Sequence, residues 1–258
     1  MEIYAKARKL ALKSFRENSS KGSYPYLQAL DDILPMTSTA AEEDLGIMDI
    51  PTELIAGTKS KSRTTAFADN FMPLLSEKTE FAMKWERLYE IHQEEGIRDP
   101  VEVYEFMNHF YVAEGNKRVS ILKYCHAPMI QASVTRILPE KNDAPENKLY
   151  YEYLDFYRLT KINYFYFSQM GSYKKLLNLL GKSEDEVWRE EERRDFRAIY
   201  IRFKNAFYKQ KGERLSLTCG DAFLCYLNVY GYRDLLWKNE EKLQKDVEKI
   251  WNDLVIYP

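Results

Sequence analysis

Residues 110–123, Phe-Tyr-Val-Ala-Glu-Gly-Asn-Lys-Arg-Val-Ser-Ile-Leu-Lys, pass from an apolar, strand-like run to a cationic, helix-forming one within a single turn. Gly115 permits a sharp bend, Asn116 is a good helix N-cap, and Lys117 and Arg118 fall in the first helical turn. First-turn amides lack an intrahelical acceptor and lie at the positive end of the helix dipole. With two cations beside them they make a phosphate-sized anion site. The bland alternative is a capped junction whose cations face water. Two further segments favour the anion site. One is the polar loop Gly57-Thr-Lys-Ser-Lys-Ser-Arg-Thr-Thr65, with Lys61 and Arg63. The other is the turn Gly96-Ile-Arg-Asp-Pro100, with Arg98 and Asp99.

The elements that must position these residues follow from periodicity. Residues 2–18 read as an amphipathic helix, with Ile3, Ala7, Leu10, Ala11 and Phe15 on one face and a basic remainder, and then a loop-rich passage runs through Pro25 and Pro35. A short strand is expected around Pro51, within 45–55, and 66–75 is expected to be helical up to Pro73. Thr79–Glu95 is a stronger helix, with Phe81, Trp85, Leu88, Tyr89 and His92 at helical spacing and Gly96 placed to end it. Residues 100–106 and 110–113 form a hairpin pattern across Met107-Asn108-His109, a helix spans 116–125, and 129–138 alternates as a strand. Residues 139–148 have linker composition. Beyond them the pattern is mainly helical, with capping boxes at Ser183–Glu186 and Thr218–Asp221, a Tyr-rich run from Tyr150 to Tyr166, one strand at 162–167 and a final helix over 234–257. The expected fold is therefore mixed α+β: an N-terminal helix and loop (1–44), an α/β module (45–138), a linker (139–148) and a helical domain (149–258).

Composition bounds the function. A 258-residue chain with 30% charged and 14% aromatic residues folds, and its net charge of −2 argues mildly against a dedicated nucleic-acid binder. The three cysteines form no C-x-x-C pair and the three histidines are scattered, so the chain reads as reduced, intracellular and without structural zinc. No apolar run approaches the roughly 18–20 residues that cross a bilayer. The tyrosines could stack bases, but their spacing fits core packing better.

The order of motifs over 45–138 resembles the ParB/sulfiredoxin superfamily. Gly96-Ile-Arg-Asp-Pro100-Val matches its G-x-x-Q-P-hydrophobic turn, with Asp99 where glutamine is usual. Glu114-Gly-Asn-Lys-Arg118 matches its G-E-R-R or G-C-H-R box, and Arg63 corresponds to the Arg after the first strand. The chain is also similar to a bacterial module that often precedes a basic-membrane-protein-type nucleoside-binding domain, which allows for its being part of a longer protein. The resemblance implies nucleotide or phosphate binding by Gly115, Asn116, Lys117 and Arg118, with Lys61, Arg63, Arg98 and Asp99 nearby, and a nucleotide with Mg²⁺ as the ligand to test. Sulfiredoxin chemistry needs a box cysteine, and Asn116 stands there instead. Some relatives phosphorylate small metabolites, which makes Glu114 the candidate general base. A carboxylate beside two cations stays ionised, however, and reads equally as a partner of Lys117 or Arg63. The expectation is a cytoplasmic, regulatory phosphate-ligand-binding protein. A DNA-binding ParB-type protein, a nuclease, a small-molecule kinase and an interaction scaffold are the rivals.

Overall fold

In the computed structural model, residues 2–34 and 41–255 are described; the Arg63 side chain lies outside the described part, as do Pro35 and the end of the helix expected over 234–257. The chain is α+β and forms two compact units, Met1–Glu140 and Lys141–Pro258.

The first unit is built on six strands: β1 (Gln28–Ala29), β2 (Ala41–Pro51), β3 (Ile55–Thr58), β4 (Val101–Phe106), β5 (His109–Glu114) and β6 (Met129–Leu138). They form one sheet in the order β1-β3-β5-β4-β6-β2. β3 runs parallel to β5, β4 and β5 make an antiparallel hairpin, and β6 is parallel to β4. Alternation decides which side chains go where. Val101, Val103, Phe110, Val112, Ile130, Ala132 and Val134 share the main core, while Tyr111 and Ile137 face the other way toward Leu30. The helices α1 (Glu2–Ser20), α3 (Glu80–Glu95) and α4 (Asn116–Tyr124) pack together through Tyr4, Ala7, Ala11, Trp85 and Ile121. Trp85 reaches from α3 to donate to Ser120 Oγ of α4 at 2.9 Å. The short helix α2 (Leu30–Ile33) follows β1.

Several local expectations are corrected. The single strand expected within 45–55 is two, β2 and β3, separated by a 3-10 turn at Thr52–Leu54 and paired with different neighbours. Residues 66–75 are not a helix: Asn70 Oδ1 accepts from Met72 N at 3.0 Å, Phe71 has φ +66°, and Phe67 bridges to Pro73. That side-chain turn offers the backbone an alternative to helical bonding. Leu10 is exposed, not on the docked face of α1, which Tyr4 shares instead.

In the second unit, α5 (Pro145–Thr160), α6 (Ser172–Leu180), α7 (Glu190–Lys209) and α8 (Cys219–Tyr230) surround an aromatic core. Phe165 packs against Phe196, Tyr200 and Phe223, and Tyr150, Tyr153 and Tyr157 are buried. Residues 162–167 form no strand; Phe165 and Phe167 enter the core from an irregular segment whose Tyr166 carbonyl accepts from Thr218 Oγ1 at 2.9 Å. The Thr218–Asp221 box caps α8, but Ser183–Glu186 starts no helix. α7 begins at Glu190, where the Glu192 carboxylate accepts from Arg189 N at 2.8 Å. The expected final helix is broken into α9 (Tyr232–Trp237), α10 (Glu240–Lys249) and α11 (Trp251–Val255), because Asn239 caps a fresh start by accepting from Lys242 N at 2.9 Å.

The main core face ends in an ion pair: Arg136 Nε donates to Glu105 Oε2 between β6 and β4, and both side chains are almost fully buried. Glu105 also accepts from Asn108 N at 2.8 Å, which ties the hairpin turn to the pair. Removing one member of such a pair leaves an uncompensated charge. Arg136→Met is therefore expected to lower stability by about 3–5 kcal/mol, and adding Glu105→Leu is expected to recover most of that loss. Urea-dependent hydrogen exchange at β4 and β6 amides measures both.

Candidate functional site

The site lies where β3 and β5 end. Because these neighbours are parallel, the segments leaving their carboxyl ends emerge side by side, the usual position of ligand crevices in α/β sheets. Thr58 is opposite Val112, and Lys59 N donates to Val112 O at 2.8 Å. β4 runs the other way, so its entry turn, 96–100, meets the end of β5, with Glu102 opposite Glu114. The sheet therefore brings the three polar segments to one edge.

Gly115 makes the turn from β5 into α4. Its φ of +106° lies in the region that glycine favours, and a Cβ there would meet Val101 Cγ1 at 2.7 Å. No side chain caps α4, and its first intrahelical bond is Val119 N to Gly115 O at 2.9 Å. Asn116 is not the N-cap but the first helical residue. Its Nδ2 donates to Thr58 Oγ1 at 3.3 Å, and the Thr58 hydroxyl donates in turn to Val112 O at 3.0 Å. Asn116 Oδ1 is buried and has no hydrogen-bond partner.

Arg118 turns back across the turn. Its Nη1 donates to the carbonyls of Asp99 (3.0 Å) and Pro100 (2.9 Å), and its Nη2 pairs with Glu114 Oε2. This guanidinium holds the site together, and Glu114 is partnered by Arg118. Lys117 Nζ sits 4.8 Å from the centre of the Phe81 ring at the start of α3. Lys61 pairs with Asp32 at 2.6 Å, and Lys59 pairs with Asp31, so α2 holds two cations of the 57–65 loop. Arg63 lies in a 3-10 helix, Lys61–Ala66; its side chain is outside the described part. Arg98 is exposed and donates to Glu95 O at 3.4 Å, and Asp99 is exposed and contributes its carbonyl.

The sequence does not by itself single out Thr58 or Lys123. Thr58 has a legible signal, a β-branched hydroxyl residue beside Gly57 at a strand end. Lys123 Nζ donates to Ile55 O at 3.1 Å and lies 5.0 Å from the Phe71 ring centre, and burial pulls its amine down to about 8. Nothing in its helical spacing distinguishes it from a solvated lysine.

Among the described residues, no group of three or more His, Cys, Asp or Glu side chains is placed to hold a metal, and no helix is long and apolar enough to cross a membrane. No protein-family model and no curated protein sequence matches the chain.

Two outcomes follow from this geometry. Gly115→Ala forces both backbone strain and a clash with Val101, and is expected to cost about 1–3 kcal/mol or more, measured by thermal unfolding. Lys123 releases its proton at lower pH in the native state than in the unfolded chain, so between about 8 and 10.5 the unfolded chain binds more protons and stability rises with pH. Across that window the native-minus-Lys123→Met stability difference is expected to move in favour of the native chain. A flat difference would show that the amine keeps its ordinary value.

Proposed function

We propose that residues 45–138 are a ParB/sulfiredoxin-like module that binds a nucleotide or another phosphate-bearing small molecule at the start of α4, in a regulatory capacity. One observation carries the reading: a helix without a side-chain cap starts behind a left-handed glycine at the carboxyl ends of two parallel strands. First-turn amides there are natural hydrogen-bond donors to a phosphoryl group, and Lys117 adds positive charge beside them. Arg118, bonded to two carbonyls and Glu114, positions the turn in this reading, and the contacts to phosphate fall to the amides. Phosphoryl transfer is the weaker reading, because the Glu114 carboxylate is already engaged by Arg118.

Titration calorimetry with ATP, CTP, GTP and ADP, with and without Mg²⁺, tests the proposal. The native chain is expected to bind at least one of them with millimolar or better affinity, and Lys117→Glu is expected to weaken that binding about tenfold or more. Binding of no nucleotide by the native chain would sink the reading. Duplex-DNA binding that falls steeply with salt would favour the DNA-binding reading instead.

A further inference from the structure

The second unit carries a cavity of about 230 Å³ between α5 and the start of α6. One face of α5 lines it, since Glu152, Phe156 and Leu159 recur at helical spacing; Tyr173 and Leu177 of α6 close it from the other side. Its size suits a ligand smaller than the molecules that fill cavities of about 300–1,000 Å³.

The chemistry of the lining is uneven. Glu152 is half-buried, and its Oε2 accepts from Gly171 N at 2.7 Å, just before α6 begins. Its Oε1 has no partner, and no basic side chain among the described residues lies within ion-pair distance of this carboxylate. The other two carboxylates of the lining differ: Asp155 pairs with Arg158 at 3.1 Å and Glu184 with Lys174 at 2.5 Å, all largely exposed. Tyr173 is 4% exposed, yet its hydroxyl makes no hydrogen bond of normal geometry, although it approaches the Phe167 backbone. Burial holds this phenol well above its ordinary value, so the Tyr173 side chain stays neutral and brings no charge to the wall. Phe156 and Tyr173 pack with ring centres 5.0 Å apart, which gives the cavity an aromatic wall.

A carboxylate without a basic partner and aromatic and aliphatic walls are complementary to one class of ligand. An ammonium or guanidinium head is attracted by the carboxylate and by aromatic rings, and a short carbon chain is sheltered by Leu159 and Leu177. We propose that this cavity binds a small organic cation, an aliphatic amine or guanidine with a short apolar body, with Glu152 as its counter-ion. The inference is independent of the phosphate site of the first unit.

Calorimetric titration of the full chain with agmatine, putrescine and tyramine tests it. Saturable binding is expected for at least one, weakening as salt rises from about 0.05 to 0.5 M. In Glu152→Gln, whose amide oxygen still accepts from Gly171 N, affinity is expected to fall about tenfold or more. Leu159→Trp puts a larger side chain into the cavity wall while leaving Glu152 in place and is expected to abolish binding, and it decides the matter if Glu152→Gln fails to fold. No saturable binding of any of the three amines up to about 10 mM, or the same affinity in a folded Glu152→Gln or Leu159→Trp chain, would overturn the proposal.

Discussion

The end of the sheet is organised around the Arg118 guanidinium. The carbonyls of Asp99 and Pro100 precede β4 and fall outside the sheet ladder, and both accept from Arg118. Hydrogen bonds from a charged donor contribute about 1.5–3 kcal/mol each, enough to hold the entry turn of β4 against the turn that leaves β5. The same side chain crowds Gly115, where an added Cβ would approach Arg118 Nε at 3.2 Å as well as Val101. The direction in which α4 leaves the sheet is thus set by a clamp made by its own third residue.

That arrangement changes what the three polar segments contribute to the proposed anion site. From sequence alone the cations of three segments read as a convergent positive cluster. In the structure they are largely engaged: Lys59 and Lys61 on the carboxylates of α2, Arg98 at a carbonyl of α3, Arg118 within the clamp and Lys117 over an aromatic ring. Exposed ion pairs such as Lys61–Asp32 contribute little to stability and yield readily to a competing anion. In the proposed reading, oriented amides contribute more to anion recognition than excess charge does. Such a site discriminates by geometry and depends less on salt than a lysine-rich patch would.

The sheet module was largely legible because its signals are local and reinforce one another. Alternating apolar residues marked β4 and β6, and Gly115 followed by a cap former and two cations marked the junction. What escaped was decided at a distance or by side chains competing with the backbone. β2 and β3 read as one strand because nothing between Pro51 and Ile55 announces that they pair with β6 and β5 respectively. Asn70 and Asn239 each divert the chain by bonding its amides, and neither effect changes hydrophobic periodicity. At the site, the box residues were legible as types but not as partners: the same Arg118 that suggested phosphate binding is equally suited to bind carbonyls, and only the position of the 96–100 turn decides between them.

The hydrogen bonds of α4 also bear on how a ligand would be met. Asn116 Nδ2 binds Thr58 near the end of β3, and seven residues later Lys123 Nζ binds Ile55 O at its start. The helix is therefore fastened along the whole of β3, while Trp85 fixes its middle through Ser120. A helix held at both ends and in the middle has no hinge at which to swing. A ligand at its start meets amides whose orientation is already set, so that little of its binding energy is spent on reorganising the protein.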